Sequence, residues 1–159
     1  MIERSRIEAS LGIDTALGRL TLWQSGDRLT GLSWAELPPS GAAPTPLLAE
    51  ASAQLAAYFA GRLQQFDLPL DWGTGLHEQV RRAMAAIPFG ETLTYGEIAA
   101  RVGAPAQSVG QACGANPLPI IIPCHRVLGA KGLGGFSARG GVETKVWLLR
   151  HEGAAGLLI

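Results

Sequence analysis

The chain has 159 residues, of which 47% are hydrophobic and 16% are charged, a composition that supports a buried core and excludes a disordered tail. Thirteen basic and thirteen acidic side chains give a net charge of zero, which argues against a protein that grips a polyanion by bulk charge. No apolar run reaches the roughly 18 residues of a membrane span, and the charged N-terminus lacks the apolar segment of a secretory signal.

The first third of the chain alternates between apolar and polar residues. This alternation predicts an antiparallel meander of three half-buried strands at residues 6–9, 18–23 and 29–34. A loop rich in proline and glycine follows, and residues 46–59 then show apolar side chains at helical spacing. Residues 65–72 alternate again, and if they form a strand, Pro69 makes it an edge strand.

The pattern changes at the glycines of residues 73–75, the boundary that we predict between an N-terminal domain, 1–74, and a C-terminal domain, 75–159. Beyond this boundary, apolar residues over 76–87 are spaced as in a helix. Residues 1–76 carry five basic and eight acidic side chains, whereas residues 77–159 carry eight and five, so a nucleic-acid face is expected in the C-terminal half.

Two short helices are predicted next. Thr94 and Glu97 form a capping box that starts a helix ending near Val102. A second helix is predicted over about 105–114, after a turn that contains glycine. The pair resembles a helix-turn-helix, although many enzymes use such a pair for packing alone. The elements together predict an α+β fold: a small N-terminal antiparallel sheet with a helix, then a mostly helical C-terminal domain with a helix-turn-helix and a buried active-site strand.

The adjacent pair Cys124-His125 is the strongest chemical signal. It follows an apolar segment, 117–123, that we predict to be buried and extended. A thiol with a pKa of about 8.5 is mostly protonated at neutral pH, and only the thiolate attacks well, so a neighbouring imidazole could take the proton directly or through a water. The imidazole needs an orienting carboxylate, for which Glu152 is the best-placed candidate. The alternative is that Cys124 is a small core residue and that His125 satisfies a backbone carbonyl.

Two cysteines, Cys113 and Cys124, are too few for a disulfide framework. The three histidines form no CxxC or CxH cluster with them, so a structural zinc is not expected either. Free thiols indicate a reducing cytoplasm.

The sequence around Cys124 resembles a known family. Pro123-Cys124-His125-Arg126-Val127 is similar to the active-site signature of the O6-alkylguanine-DNA alkyltransferases. Four other segments resemble this family in the right order: the entry to its helix-turn-helix, its recognition helix with the following hinge, its active-site loop and its closing helix, at residues 87–99, 109–117, 134–137 and 145–153. The N-terminal half is similar only in its layout of strands and helix.

The resemblance implies direct DNA repair. The family flips an O6-alkylated guanine out of the duplex from the minor groove, so Cys124 would attack the alkyl carbon and the guanine O6 would leave. The thioether product is not readily cleaved, so each molecule would act once, without a metal or an organic cofactor. The implied partner is double-stranded DNA containing O6-alkylguanine, and we expect a cytoplasmic monomer.

The resemblance also implies roles for individual residues. His125 would form the thiolate of Cys124 through a water, and Glu152 would orient His125. Tyr95 would donate a proton toward the base, and Asn116 would hold the turn near the thiol. The base pocket would be lined by Val127, Phe136 and Ser137. The expected DNA contacts are Thr94, Tyr95, Gln107, Ser108, Gly110, Arg126 and Arg139; for Arg126, a tie to a neighbouring segment is the favoured alternative.

Three features depart from the family's pattern. The family usually has an arginine two positions before the Val-Gly of the recognition helix, which fills the gap left by the flipped base. Gln107 stands there in this chain; it can hydrogen-bond the orphaned cytosine but lacks the charge and the planar fork. The turn at residues 103–106 is about two residues shorter than the common pattern. The loop has Phe136 where tyrosine is frequent, and Arg139 in its insert either contacts phosphate or is solvated.

Three other functions compete with alkyl transfer. An alkyltransferase-like protein binds the lesion without removing it, but such proteins resemble this sequence with tryptophan in place of Cys124. A cysteine hydrolase would need an oxyanion hole, for which the sequence carries no signal. A transcription factor would need a dimer interface and a more strongly basic face.

Overall fold

The computed structural model describes residues 9–34, 43–130, 132–133 and 141–154. Contacts group the chain into two compact units, Met1–Asp71 and Trp72–Ile159. The division lies three residues before the boundary that the glycine-rich segment predicts after residue 74. No helix among the described residues is long and apolar enough to cross a membrane.

A three-stranded antiparallel sheet forms the first unit's framework. Its strands are β1 (Ala9–Thr15), β2 (Gly18–Ser25) and β3 (Arg28–Ser33), in spatial order β1-β2-β3. Gly26 turns the chain between β2 and β3 at a φ of +63°, a conformation that glycine adopts without strain. The predictions for β2 and β3 are confirmed. The strand predicted at 6–9 falls mostly outside the described residues, and β1 was not predicted because its side chains are mostly half-buried and do not alternate clearly.

The first helix, α1 (Pro46–Phe59), has the predicted bounds. The Thr45 side chain accepts a hydrogen bond from the Leu48 amide, and Pro46 occupies the first turn, where its missing N–H costs nothing. One face of α1 buries apolar side chains at helical spacing: Leu48, Ala51, Leu55 and Tyr58.

Residues 65–72 do not form the edge strand that their alternation allows. The structure has only one bridge there, between Leu70 and Leu29, with hydrogen bonds from the Leu29 amide to the Pro69 carbonyl and from the Asp71 amide to the Leu29 carbonyl. Pro69 lacks the N–H that a longer ladder would need, so the pairing does not extend.

The second unit is mostly helical, which confirms the predicted α+β class. Its helices are α2 (Gly75–Ala85), α3 (Tyr95–Val102), α4 (Ala106–Gly114) and α5 (Val142–His151). The capping box predicted for α3 is present, because Thr94 Oγ1 accepts from the Glu97 amide and the Glu97 side chain accepts from the Thr94 amide. Gly103 ends α3 in the left-handed conformation, at a φ of +71°, and the short turn to α4 completes the helix pair.

Two short strands join this helix pair to the segment that carries Cys124. β4 (Leu93–Thr94) pairs in parallel with β5 (Val127–Leu128). Because Thr94 also caps α3, the same residue fixes the start of α3 and its register against β5. This arrangement holds the first residue of α3, Tyr95, beside the Cys124 segment.

Candidate active site

The segment that leads to Cys124 is buried, as predicted, but it is not extended. The Ile122 amide donates to the Leu118 carbonyl at 2.8 Å, which closes a turn. Asn116 holds this turn from both sides: its Nδ2 donates to the Ile122 carbonyl at 2.9 Å, and its Oδ1 accepts from the Leu118 amide at 3.1 Å. The predicted active-site strand is therefore reduced to β5, after Cys124.

Ile120 adopts a strained backbone conformation in this turn. Its φ is +75°, and it is the one described residue other than glycine with a positive φ. A β-branched side chain in this region is strained by about 1–3 kcal/mol. The side chain is 1% exposed, so burial of its apolar surface offsets part of that strain.

Cys124 is positioned by the same carbonyl that Asn116 binds. Its amide donates to the Ile122 carbonyl at 2.7 Å across Pro123, whose φ of −80° and ψ of 69° are those of an inverse γ-turn. Residues Cys124–Arg126 then form one 3-10 turn. Burial raises the pKa of the Cys124 thiol, while a hydrogen bond from Asn116 and the positive charge of Lys145 lower it. The thiol therefore needs a base to become a nucleophile.

Of the two ring nitrogens of His125, one is hydrogen-bonded within the described structure. Its Nε2 lies 2.8 Å from Glu152 Oε2, and the ring is completely buried. Burial lowers the pKa of His125, against the raising effect of Glu152. The neutral ring then donates through Nε2–H to the carboxylate and leaves Nδ1 as an acceptor. Among the described residues, Nδ1 has no hydrogen-bond partner.

Glu152 joins His125 to Arg126. Arg126 Nε and Nη2 donate to the two carboxylate oxygens of Glu152 at 2.8 and 3.0 Å. Burial alone would raise the pKa of Glu152, but the hydrogen bonds from His125 and Arg126 outweigh it and lower the pKa to about 2. Glu152 is therefore a carboxylate at neutral pH, with both oxygens used.

The expectation that Arg126 contacts DNA is corrected by its surroundings. Its Nη1 donates to the Ile87 carbonyl at 2.6 Å, and the residue is 5% exposed. The guanidinium thus ties the active-site turn to the end of α2 and to Glu152. It is occupied inside the protein and not available to a phosphate.

Tyr95 lies near the two cysteines. It is half-buried, and its pKa is raised by burial and by negative charge on Cys113 and Cys124. The structure therefore groups Tyr95, Asn116, Cys124, His125 and Glu152, the five predicted catalytic residues. Val127, predicted to line the base pocket, has a fully buried side chain.

Five of the seven predicted DNA contacts, Thr94, Tyr95, Gln107, Ser108 and Gly110, lie on the helix pair or at its start. Thr94 caps α3, Gln107 is exposed in the first turn of α4, and Ser108 and Gly110 are half-buried on the same helix. No side chain of α4 is charged. Phe136, Ser137 and Arg139 lie outside the described residues.

Sequence reasoning missed Lys145. This lysine of α5 is completely buried, and its Nζ donates to the Val127 carbonyl at 2.6 Å and to the Leu133 carbonyl at 2.5 Å. A signal was present, because Lys145 stands at i, i+3 and i+4 spacing with the buried Leu148 and Leu149.

Known proteins resemble this chain over most of its length. The family description "6-O-methylguanine DNA methyltransferase, DNA binding domain" matches residues 75–154, and the "ribonuclease-like domain" of the same family matches residues 12–72. The chain is 47% identical over 149 residues to the methylated-DNA–protein-cysteine methyltransferase of Mycobacterium bovis, covering 88% of this chain and 89% of that protein. The protein of the same name from Methanosarcina acetivorans is 46% identical over 123 residues, covering 75% of this chain and 78% of that protein.

Solved structures give the same result. The chain is similar to the O6-methylguanine methyltransferase of Mycobacterium tuberculosis, with a TM-score of 0.78 and 44% identity over 92% of this chain and 93% of that chain. The structure of Mycobacterium tuberculosis OGT in complex with DNA matches with the same TM-score and identity, over 92% and 94%. These matches confirm the resemblance that the motifs indicate. The chain belongs to the 6-O-methylguanine DNA methyltransferase family.

Proposed function

We propose that this protein repairs DNA directly, by moving the alkyl group of an O6-alkylguanine to Cys124 Sγ in a single turnover. The observation that carries the proposal is the buried array of Cys124, His125 and Glu152 in a chain of this family. The array contains a thiol whose pKa is raised by burial and, next to it in sequence, an imidazole with one nitrogen engaged by a carboxylate and the other open.

The reaction follows from these groups. His125 Nδ1 takes the thiol proton of Cys124, directly or through a water, while Glu152 holds the ring and stabilises the imidazolium that forms. The thiolate displaces guanine from the alkyl carbon: a C–S bond forms, the C–O bond breaks, and its electron pair goes to the guanine O6. Tyr95 donates a proton toward the base, which neutralises the developing anion. The thioether cannot return to a thiolate, so the molecule is consumed.

DNA is the partner of this family's DNA-binding domain, and the helix pair α3–α4 is the element that we assign to it. Thr94, Tyr95, Gln107, Ser108 and Gly110 are the proposed contacts, with Gln107 entering the space left by the flipped base. Val127, Phe136 and Ser137 are proposed to line the base pocket, and Arg139 to approach phosphate. We also propose that the protein acts as a monomer in the cytoplasm.

Intact-protein mass spectrometry tests the transfer and its acceptor. The protein is incubated with a duplex containing one O6-methylguanine, beside the variants Cys124→Ala and Cys113→Ala. We expect a gain of one methyl group, about 14 Da, in the wild type and in Cys113→Ala, and none in Cys124→Ala. Binding without a mass gain in the wild type would support the lesion-binding alternative, and a gain in Cys124→Ala would place the acceptor elsewhere.

A further inference from the structure

The turn after α2 belongs to a motif that the reaction above hardly uses. Residues 87–99 resemble the entry to the family's helix-turn-helix, but the reaction takes only Tyr95 from this segment. The turn is closed by the Glu91 amide, which donates to the Pro88 carbonyl at 3.0 Å. Phe89, in the middle of the turn, is half-buried and therefore lies at the margin of the core. Its position calls for an explanation in terms of what its ring contacts.

Two backbone contacts join this turn to the buried ion pair of Arg126 and Glu152. Arg126 Nη1 donates to the Ile87 carbonyl at 2.6 Å. Gly90 has a φ of +87°, and a Cβ placed on it would lie 3.3 Å from the Glu152 carbonyl oxygen, closer than ordinary van der Waals contact. The backbone of the turn thus lies directly against both members of the pair. Phe89 stands between the two contacts.

The ring of Phe89 lies beside the guanidinium. Arg126 Cζ is placed over this ring, 5.8 Å from its centroid, which is within the range of a cation–π interaction. The three guanidinium nitrogens already donate, two of them to Glu152 and one to Ile87. The ring therefore complements the hydrogen bonds, and Arg126 keeps only 5% of its surface exposed.

The position of this guanidinium matters for the catalytic imidazole. Glu152 Oε2 accepts from His125 Nε2 at 2.8 Å and from Arg126 Nη2 at 3.0 Å, so one oxygen serves both residues. Opposite charges attract less strongly in water than in a dry interior. Water that reached Arg126 would loosen its bonds to Glu152, and the carboxylate oxygen that holds His125 would then be free to move.

We propose that Phe89 is a positioning residue for alkyl transfer: its ring covers the Arg126 guanidinium, excludes water from the Arg126–Glu152 pair and so fixes the carboxylate that holds His125. This inference rests on the proposed function for its catalytic meaning. The effect on Arg126 can be measured without DNA, so the two proposals can fail separately.

The first experiment follows the Arg126 side chain by NMR in protein labelled with 15N-arginine. Exchange of its Nε–H with solvent is compared in the wild type, Phe89→Ala and Phe89→Tyr. We expect exchange to be at least about tenfold faster in Phe89→Ala and close to the wild type in Phe89→Tyr, which keeps an aromatic face. Unchanged exchange in Phe89→Ala would overturn the proposal.

A matched control exists on the surface of α2. Arg82 Cζ lies over the Trp72 ring, 4.6 Å from its centroid, and Arg82 is exposed. Trp72→Leu therefore removes a contact of the same kind away from the Arg126–Glu152 pair. We expect the exchange of Arg126 Nε–H and the transfer rate to stay at the wild-type values in this variant. Faster Arg126 exchange in Trp72→Leu as well would contradict a specific effect of Phe89.

Fluorination tests the ring in the reaction with almost no change of shape, so the variant should fold. Nonsense suppression replaces Phe89 with trifluorophenylalanine, whose ring face is less negative and attracts a cation less strongly. With an O6-methylguanine duplex in single turnover, we expect transfer to be about two- to fivefold slower than in the wild type. The same replacement at Phe59 of α1 is the control and should leave the rate unchanged.

The outcomes separate positioning from support of the fold. A lower melting temperature with an unchanged transfer rate in the fluorinated Phe89 protein would mean that the ring only stabilises the turn, and would overturn the proposal. Absence of transfer in every protein, the wild type included, would refute the proposed function instead. The exchange of Arg126 Nε–H would still decide whether Phe89 shields the ion pair.

Discussion

The two units bury different kinds of polar groups. Among the described residues of the first unit, the buried polar side chains are neutral: Thr21, Gln24 and Gln54. Those of the second unit include four ionisable ones: His125, Arg126, Lys145 and Glu152. Both units also contain a core of aliphatic side chains, so the difference is not one of hydrophobic burial.

The neutral groups of the first unit fasten the backbone. Gln54 of α1 donates to the Asp67 carbonyl and accepts from the Asp67 amide, which holds the irregular segment after α1 in place. Such bonds replace those to water and contribute about 1 kcal/mol each. The charged groups of the second unit cost several kcal/mol to bury and are stable only as a connected set. The comparison indicates that charged groups are buried, despite the free energy this requires, in the unit that contains the reactive thiol.

The largest predicted effect is that of Glu152→Ala. It leaves His125 without its carboxylate and Arg126 as a buried unpaired cation, which should lower the free energy of unfolding by about 3–5 kcal/mol. Urea unfolding measures this loss. Glu78→Ala is the matched control, because Glu78 makes an ion pair of similar length with Arg82 on the exposed surface of α2, where the cost should be below about 1 kcal/mol. Equal losses in the two variants would contradict the contrast between buried and exposed charge.

Acid should remove the same stabilisation. The pKa of Glu152 is about 2 in the folded protein, below the roughly 4.3 of an unfolded glutamate, so its contribution is complete above about pH 5. It is lost as the pH falls through 4 toward 2, and amounts to about 3 kcal/mol. Unfolding free energies measured across this range should decline less steeply in Glu152→Gln, which cannot titrate. Parallel declines in wild type and Glu152→Gln would show that other carboxylates dominate.

A smaller effect is expected in the first unit. A Cβ at Gly31 would lie 2.0 Å from the Trp23 ring, so Gly31→Ala forces the indole to move and should cost about 1–3 kcal/mol. The transfer rate, measured well below the unfolding midpoint, should be unchanged, because no group of the active site is touched. The double variant Gly31→Ala/Trp23→Ala should cost less than the sum of the single changes. A slower transfer in Gly31→Ala would show that the first unit does more than support the fold.

The sequence predicted features that depend on neighbouring residues. The capping box of Thr94 and Glu97 and the bounds of α1 are local, and both are present. The φ of Ile120 depends on contacts with distant segments, so no local pattern revealed it. The helical spacing of Lys145 with Leu148 and Leu149 did point to its burial, but its two carbonyl partners lie in distant segments. At residues 65–72 the local pattern is present but the strand is not. Their alternation is typical of a strand, but Pro69 and the single partner Leu29 allow only one bridge.

The smallest predicted effect concerns the uncharged helix α4. Gln107→Arg would add one cation to the first turn of a helix that has none, at the position proposed to fill the gap in the duplex. The slope of log K against log salt for duplex binding should become steeper by about 0.9, the value for one additional phosphate contact. Gln111→Arg places the same charge one turn later on α4 and should steepen the slope similarly. If Gln107 fills the gap, only Gln107→Arg should also accelerate methyl transfer; equal rates in the two variants would mean that charge alone matters on this face.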